Sequence, residues 1–402
     1  MKPLNSLSPA LLCLAFATLA QPTAAAPLVS IGDNVDVFFN GSSSVRWSSN
    51  IFRDEDDEVD DIIWSLTPGF EVNLGRGVTN ADLSLITRYE IRRYADLDEL
   101  DTELFNIQLN GSYRTSRLDL SGSAYFREQK SSTGDINLNN DLVESDRLGG
   151  RLNAEYRFSP KFSLGSGISY SETEYKDPYD ANFSDRERFT VPVDIFYELT
   201  PKVDLSIGYS YGETDVSGRP AITTGPPFNF ILVPAANPYT TEDHFFNIGA
   251  RGNLLPKLTG FFKVGYRLRD TDRPGSSQRG TLGIDSDLTW ATTPKLTNRI
   301  ALSRDFGVSG EGVSSENTSV SLTSNYSLNS YFAASVFADY TLREYINVDR
   351  EENQYRLGAR LTYTPNQYWS FGAGYTYSEN DSDAVNRTYE DHSVDFTASL
   401  RY

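Results

Sequence analysis

The chain has two imidazoles, and neither stands in a pattern that supports catalysis. His392 precedes Ser393, but neighbouring residues of a strand point to opposite faces and cannot form a dyad in regular geometry. Asp243 and His244 have the same difficulty. Cys13 is the single cysteine, which excludes a disulfide framework or a multi-cysteine zinc site, and two histidines disfavour a histidine-ligated metal. We therefore expect no enzyme activity, no catalytic residue, no metal site and no cofactor.

Arginine is the residue type whose spacing carries most information. Basic side chains recur at alternate positions of segments whose other positions are apolar or small. The planar guanidinium suits hydrogen bonding to carboxylates or to sugar rims. Two interpretations stay open: a lumen for a polar solute or polymer, either neutral or anionic, or salt bridges between neighbouring strands. The positions predicted to line a lumen are Arg88, Arg92, Arg114, Arg127, Arg147, Arg151, Arg188, Arg251, Lys263, Arg267, Arg299, Arg356 and Arg360.

The elements that must position these side chains are strands. Leu148 and Leu152 share one face of a segment, whereas Arg147 and Arg151 share the other, and the same alternation recurs over 189–199. No stretch shows sustained helical periodicity. We count about eighteen such strands (16–18), which run from 36–48 to 391–402. The fold class predicted is all-β.

The interruptions between these strands alternate in length. Short ones resemble each other, as in Ser-Pro-Lys at 159–161 and Thr-Pro-Lys at 200–202 and 293–295. Proline lacks a donor N–H and fixes φ, so it belongs at a tight turn rather than inside a ladder. Longer polar interruptions lie between them, for example at 129–144 and 216–241. An even number of strands with both chain ends on the short-turn side is typical of a bacterial outer-membrane barrel.

A secreted β-sandwich or a β-solenoid is the structural alternative, but both usually use shorter strands around a dry core. A transmembrane antiparallel up-and-down β-barrel explains the low apolar content of 39%, because only one face of each strand meets lipid. Aromatic residues are expected to form a girdle at each membrane interface. The girdle positions predicted are Tyr156, Phe158, Tyr197, Trp290, Tyr363 and Trp369 beside short turns, and Tyr175, Tyr211, Tyr266, Tyr345 and Tyr377 near long loops.

The N-terminal segment reads as a secretory signal. Lys2 precedes a short apolar run and small residues that end near Ala25, where we place the cleavage site. The predicted organisation is a signal peptide over 1–25 and a single barrel domain over 26–402. The net charge of −19 disfavours a nucleic-acid partner, because phosphate binding needs a basic face. We expect an integral protein of the bacterial outer membrane, in contact with its lipid and lipopolysaccharide.

The last strand alternates cleanly and ends on an aromatic residue, which resembles the signal that outer-membrane barrels present to their insertion machinery. That machinery is therefore an expected partner. The residues of this predicted insertion signal are Val394, Phe396, Leu400 and Tyr402.

The longest predicted loop, 216–241, contains an apolar run that is costly in water. It could fold inward as a constriction, cap the mouth or meet a partner, and we favour the first two. The residues predicted for this role are Phe228, Phe230, Ile231 and Leu232.

The opening strands carry a family resemblance. Ser-Ser-Asn-Ile-Phe at 48–52 leads into an acidic loop and then into Ile-Ile-Trp-Ser-Leu-Thr-Pro-Gly-Phe-Glu at 62–71. This pattern resembles the start of the family called putative β-barrel porin 2. The resemblance implies a conduit for export of an extracellular polysaccharide, with periplasmic export components as partners, and no catalytic residues. A general or small-solute porin and a structural or adhesion barrel without transport remain alternatives.

Overall fold

The computed structural model describes residues 26–32, 34–75, 79–132, 141–220, 222–224, 231–233, 235–273, 275–384 and 387–402. Its main feature is one antiparallel sheet with eighteen long strands. We number these strands β1 to β18. Their bounds are β1 Val35–Ser48, β2 Asp61–Leu74, β3 Ala81–Tyr94, β4 Thr102–Arg114, β5 Leu118–Ser131, β6 Val143–Arg157, β7 Phe162–Tyr175, β8 Arg186–Thr200, β9 Val203–Val216, β10 Tyr239–Leu255, β11 Leu258–Thr271, β12 Arg279–Thr293, β13 Leu296–Val308, β14 Ser314–Ser327, β15 Phe332–Tyr345, β16 Glu351–Tyr363, β17 Trp369–Ser382 and β18 Tyr389–Arg401.

The sheet closes on itself. Each strand pairs with its neighbours in sequence, and β1 pairs with β18 from Asn40 opposite Arg401 to Ser48 opposite Ser393. Phe39 and Tyr402 exchange two further backbone hydrogen bonds. Closure leaves no unpaired edge, as spanning a membrane with strands requires. The predicted up-and-down barrel of eighteen strands is confirmed.

Short elements complete the described fold. Val29–Ile31 adds a strand beside β1, and Ile222–Thr224 pairs with Ile231–Val233 in a separate hairpin. Two 3-10 turns lie at Asp98–Leu100 and Tyr179–Ala181. The described residues include no helix long and apolar enough to cross a membrane. The predicted signal peptide lies outside the described residues.

Burial is inverted relative to a water-soluble protein. Large apolar side chains are exposed on the outer face, such as Ile207 at 70% and Ile248 at 61%. Polar side chains are buried inside, such as Thr241 and Asn380 at 0% and Glu352 at 1%. In water an apolar surface this extensive would be unstable. A hydrocarbon exterior with a polar interior is the arrangement of a transmembrane barrel.

The short turns share a hydrogen-bond pattern that explains their repeated sequence. The hydroxyl of Thr200 accepts from the backbone N–H groups of Lys202 and Val203. Thr293 does the same for Lys295 and Leu296. The hydroxyl residue thus closes a tight turn whose proline has no N–H to satisfy.

Two residues of the girdle predicted near the long loops face the lumen instead of the lipid. Tyr175 stacks on Phe183 with ring centroids 4.8 Å apart, and the hydroxyl of Tyr345 donates to Glu352 at 3.1 Å. Both tyrosines hold loops over the barrel mouth rather than meeting lipid. The prediction for these two residues was wrong because it rested on their closeness to the long loops. It did not use the alternation along the strand, which decides the face that each tyrosine occupies.

Candidate functional site

The lumen is the candidate site. It contains an open cavity of about 660 Å³ whose wall runs from β4 to β13. Alternation along these strands brings hydroxyl, amide and charged groups to this wall and sends the apolar side chains outward. The polar lining includes Gln108, Asn110, Ser123, Asn153, Ser169, Thr190 and Asn247.

All thirteen basic residues predicted to line the lumen lie on the face opposite the exposed apolar side chains. Eight of them pair with a carboxylate among the described residues, as Arg92 does with Glu90 at 3.0 Å. The longest of these pairs reach 3.8 and 4.0 Å. The paired positions are Arg92, Arg114, Arg188, Arg251, Lys263, Arg299, Arg356 and Arg360.

Two of these pairs reach far beyond the neighbouring strand. Arg251 of β10 binds Asp204 of β9 at 3.0 Å and also Glu155 of β6, with an Nη1 to Oε2 distance of 2.7 Å. Four strand spacings separate β6 from β10, which is about 19 Å along the wall. Lys263 of β11 likewise binds Asp194 of β8 at 2.8 Å. These side chains cut across the lumen and narrow it.

The Arg251 bridge lies near the short-turn end of the barrel, and its removal gives a test. Arg251→Gln should raise single-channel conductance and favour cations, because Glu155 and Asp204 lose their partner and the constriction loosens. Arg114→Gln is the matched control, since among the described residues Arg114 pairs along the wall with Asp119 at 3.3 Å. Both variants lose one positive charge. Equal conductance in the two variants, measured in planar bilayers, would argue against a constriction here.

A repeated stack was missed by the sequence reasoning. The ring of Phe245 lies where a side chain on Gly283 would stand, and the Arg267 guanidinium lies 3.8 Å above that ring. The same arrangement places Tyr125 over Gly149 with Arg127 at 4.8 Å. Glycine leaves room for the ring to lie flat on the wall, and the ring holds the arginine by cation–π contact. Inward aromatic residues with an inward glycine on a nearby strand are the sequence signal that could have revealed it.

The mouth at the long-loop end is crossed by a strap, residues 309–313, which joins β13 to β14. On one side, the carbonyl of Gly310 accepts from the N–H of Ser184 at 2.8 Å, and that of Gly312 accepts from the Tyr239 hydroxyl at 2.9 Å. On the other side, Glu311 pairs with Arg350 at 2.6 Å and with Arg387. The strap is therefore anchored on two opposite parts of the rim.

Apolar clusters support this cover. Val143, Tyr179 and Phe183 form one cluster, and Phe183 is only 1% exposed. Leu100 and Leu142 belong to a second cluster with residues at the tops of β2 and β3. Burial, followed by the hydrogen bond that the Tyr179 hydroxyl donates to Asp141, raises the pKa of Tyr179. Described loops at the long-loop end thus pack into small apolar cores, and the first of these cores lies next to Ser184, which binds the strap.

The loop predicted as a constriction or cap is described only in part. Phe228 and Phe230 lie outside the described residues. Ile231 and Leu232 belong to the strand Ile231–Val233, which pairs with Ile222–Thr224. Their role stays a prediction, and the cover that the structure describes comes from other loops.

Both histidines face away from the lumen. The Nδ1 atom of His244 lies 2.8 Å from the Tyr209 hydroxyl, and that of His392 lies 2.8 Å from the Tyr375 hydroxyl. Each belongs to an outward cluster of aromatic rings near the long loops. Among the described residues, no group of three or more histidine, cysteine, aspartate or glutamate side chains could hold a metal ion.

The residues of the predicted insertion signal lie in and just after β18. Phe396 is 61% exposed on the outer face, and the ring of Tyr402 packs at a tilt against that of Tyr368 with centroids 5.5 Å apart. Val394 and Leu400 share the face of Phe396, because their positions differ from it by even numbers. Their use as a signal stays a prediction.

A closed barrel with an apolar exterior and a polar lumen lined by many basic side chains defines a porin-like protein of the bacterial outer membrane. Residues 244–402 match the model of the family described as putative beta-barrel porin 2, which confirms the resemblance over that part of the chain. The match begins inside β10 and includes all later strands.

Solved structures of outer-membrane proteins are similar in fold. The copper transporter OprC is 11% identical with a TM-score of 0.48, over 92% of this chain and 81% of that one. The outer membrane protein opdK from Pseudomonas aeruginosa is 10% identical with a TM-score of 0.44, over 91% and 99%. The ferric-catecholate import receptor Fiu from E. coli K12 is 10% identical with a TM-score of 0.45, over 94% and 82%. Among curated proteins, none matches this chain significantly in sequence.

Proposed function

We propose that the chain is a passive outer-membrane channel that exports an extracellular polysaccharide. The observation that carries this proposal is the cavity of about 660 Å³, whose wall presents side-chain amides, hydroxyls and guanidinium groups. A polyhydroxylated chain that leaves bulk water needs such donors and acceptors to replace its hydration. The family resemblance adds support, because some family members are proposed as polysaccharide conduits.

A small-solute diffusion porin is the second candidate. The bridges from Arg251 to Glu155 and from Lys263 to Asp194 favour it, because a narrowed lumen suits small molecules better than a polymer. A structural or adhesion barrel without transport is the third candidate, favoured by the strap over the mouth.

The proposal includes the partners that such a channel requires. Export to the periplasm would use the signal peptide, and assembly would use the C-terminal signal and the insertion machinery. Lipid and lipopolysaccharide would surround the apolar exterior. Components of a periplasmic polysaccharide-export system would meet the short-turn end, where both ends of the barrel sheet lie.

Loss of the gene should abolish or strongly reduce polysaccharide at the cell surface, because the polymer would have no route across the outer membrane. Surface polysaccharide is measured by chemical assay of washed cells, with the gene restored from a plasmid as control. Unchanged export would contradict the polysaccharide conduit. Conductance of the purified barrel then separates the remaining candidates, since a porin conducts and a closed barrel does not.

A further inference from the structure

Three arginines in one row across neighbouring strands of the lumen wall lack the carboxylate partners that most others have. Arg88 of β3 stands opposite Asn106 of β4, Asn106 stands opposite Arg127 of β5, and Arg127 stands opposite Arg147 of β6. We call Arg88, Arg127 and Arg147 the arginine belt. Like charges directly opposite each other on neighbouring strands destabilise a sheet. The belt therefore costs the folded barrel free energy that the paired arginines avoid.

No carboxylate in the described part of the chain neutralises these three side chains. The belt side chains form neither a hydrogen bond nor an ion pair with any described residue, and Arg127 Nε is buried without a partner there. The Arg127 guanidinium is instead held over the Tyr125 ring. A stacked guanidinium keeps its outer N–H groups free for a planar, bidentate anion.

Arg267 repeats this arrangement elsewhere on the cavity wall. It lies over Phe245, and its Nε is buried without a partner among the described residues. The cavity lining described here has five basic side chains against three carboxylates, and Asp194 is already tied to Lys263. The other two carboxylates, Asp285 and Asp305, partly neutralise the positive charge beside Arg267. The positive excess is therefore strongest toward the belt.

The groups between the charges indicate what kind of anion fits. Neutral donors and acceptors from β4 to β7, such as Asn110, Ser123, Asn153 and Ser169, line the same cavity as Arg127. A bare inorganic anion would use only the charges. A sugar with a carboxylate would use both the arginines and the neutral groups.

We propose that the arginine belt and the cavity beside it bind carboxylate-bearing sugar units, so that the cargo is an acidic glycan rich in hexuronate. This inference rests on the proposed channel function and names its substrate class. The belt attracts the polymer by charge, and the neutral groups of the wall exchange hydrogen bonds with its hydroxyls as it passes.

The test uses the purified full chain in planar bilayers with two probes of equal length. A hexamer of hexuronic acid should block single-channel current reversibly, at a concentration at least about ten-fold lower than a neutral hexamer of glucose. The doubly substituted variant Arg127→Gln with Arg147→Gln should raise the half-blocking concentration of the uronate about ten-fold or more and leave that of glucose unchanged. Higher salt should weaken block by the uronate alone.

Arg299→Gln is the control for general loss of lumenal charge, because it removes a charge that is already bonded to Asp287 and lies outside the cavity lining. The inference is overturned if a conducting barrel is blocked equally by both hexamers or by neither. It is also overturned if the belt variant leaves uronate block unchanged, or if Arg299→Gln weakens block as much. A barrel that conducts in no condition would instead overturn the channel function itself.

Discussion

Glu311→Ala should increase the open population of the channel by about ten-fold or more. Glu311 holds one side of the strap to Arg350 and Arg387 across the mouth, and its side chain is only 14% exposed. Each charge-assisted hydrogen bond contributes about 1.5–3 kcal/mol, and 1.4 kcal/mol corresponds to a factor of ten in population. The other side of the strap, at Ser184 and Tyr239, stays attached. The measurement is single-channel recording of the purified barrel, scored for conductance and open time.

Glu351→Ala is the control for this prediction. Glu351 lies next to Arg350, is exposed, and loses the same charge without touching the strap. Unchanged open time in Glu311→Ala would mean that the strap does not limit flow. A change shared by both variants would point to the charge of the rim rather than to the strap.

Gly260→Ala should reduce assembly of the barrel strongly. Gly260 has φ of +138°, and a Cβ atom there would stand 2.0 Å from the carbonyl oxygen of Asp287 on the next strand. Its partner across the ladder, Gly252, has φ of +111°. The strained backbone alone costs about 1–3 kcal/mol, and relief of the clash would separate β11 from β12.

The folded fraction of Gly260→Ala is measured by heat-modifiable gel migration, and its stability by urea unfolding in micelles. Gly150→Ala is the control, since the nearest atom to a Cβ there is the Ser123 carbonyl oxygen at 3.4 Å, which is ordinary contact. We expect Gly150→Ala to assemble normally. Equal assembly of both variants would show that the bend at Gly260 tolerates a side chain.

The strands were predictable because their signals are local. Alternation over 189–199 and the proline turn at 200–202 predicted a strand there, and the structure has Arg186–Thr200. Alternation also decides which face a residue occupies, so the lumenal side of Arg147 and Arg151 follows from the outward side of Leu148. The same count would have placed Tyr175 inward.

The closure of the mouth was not predictable from the sequence. The contact of Ser184 with Gly310 joins residues 126 positions apart through backbone atoms, which carry no residue-type signal. The bridge from Arg251 to Glu155 depends on how the wall curves, and alternation gives no curvature. For the same reason, sequence could name lumenal arginines but could not separate the paired ones from the arginine belt.

The Arg251 bridge near the short-turn end has a consequence for how current flows. The strap and this bridge lie at opposite ends of one pore, so they act as two resistances in series. When one resistance is lowered, the other sets the total resistance of the pore. Freeing the strap alone therefore has a ceiling set by the bridge, and the double variant Glu311→Ala with Arg251→Gln should conduct more than the two single gains added together.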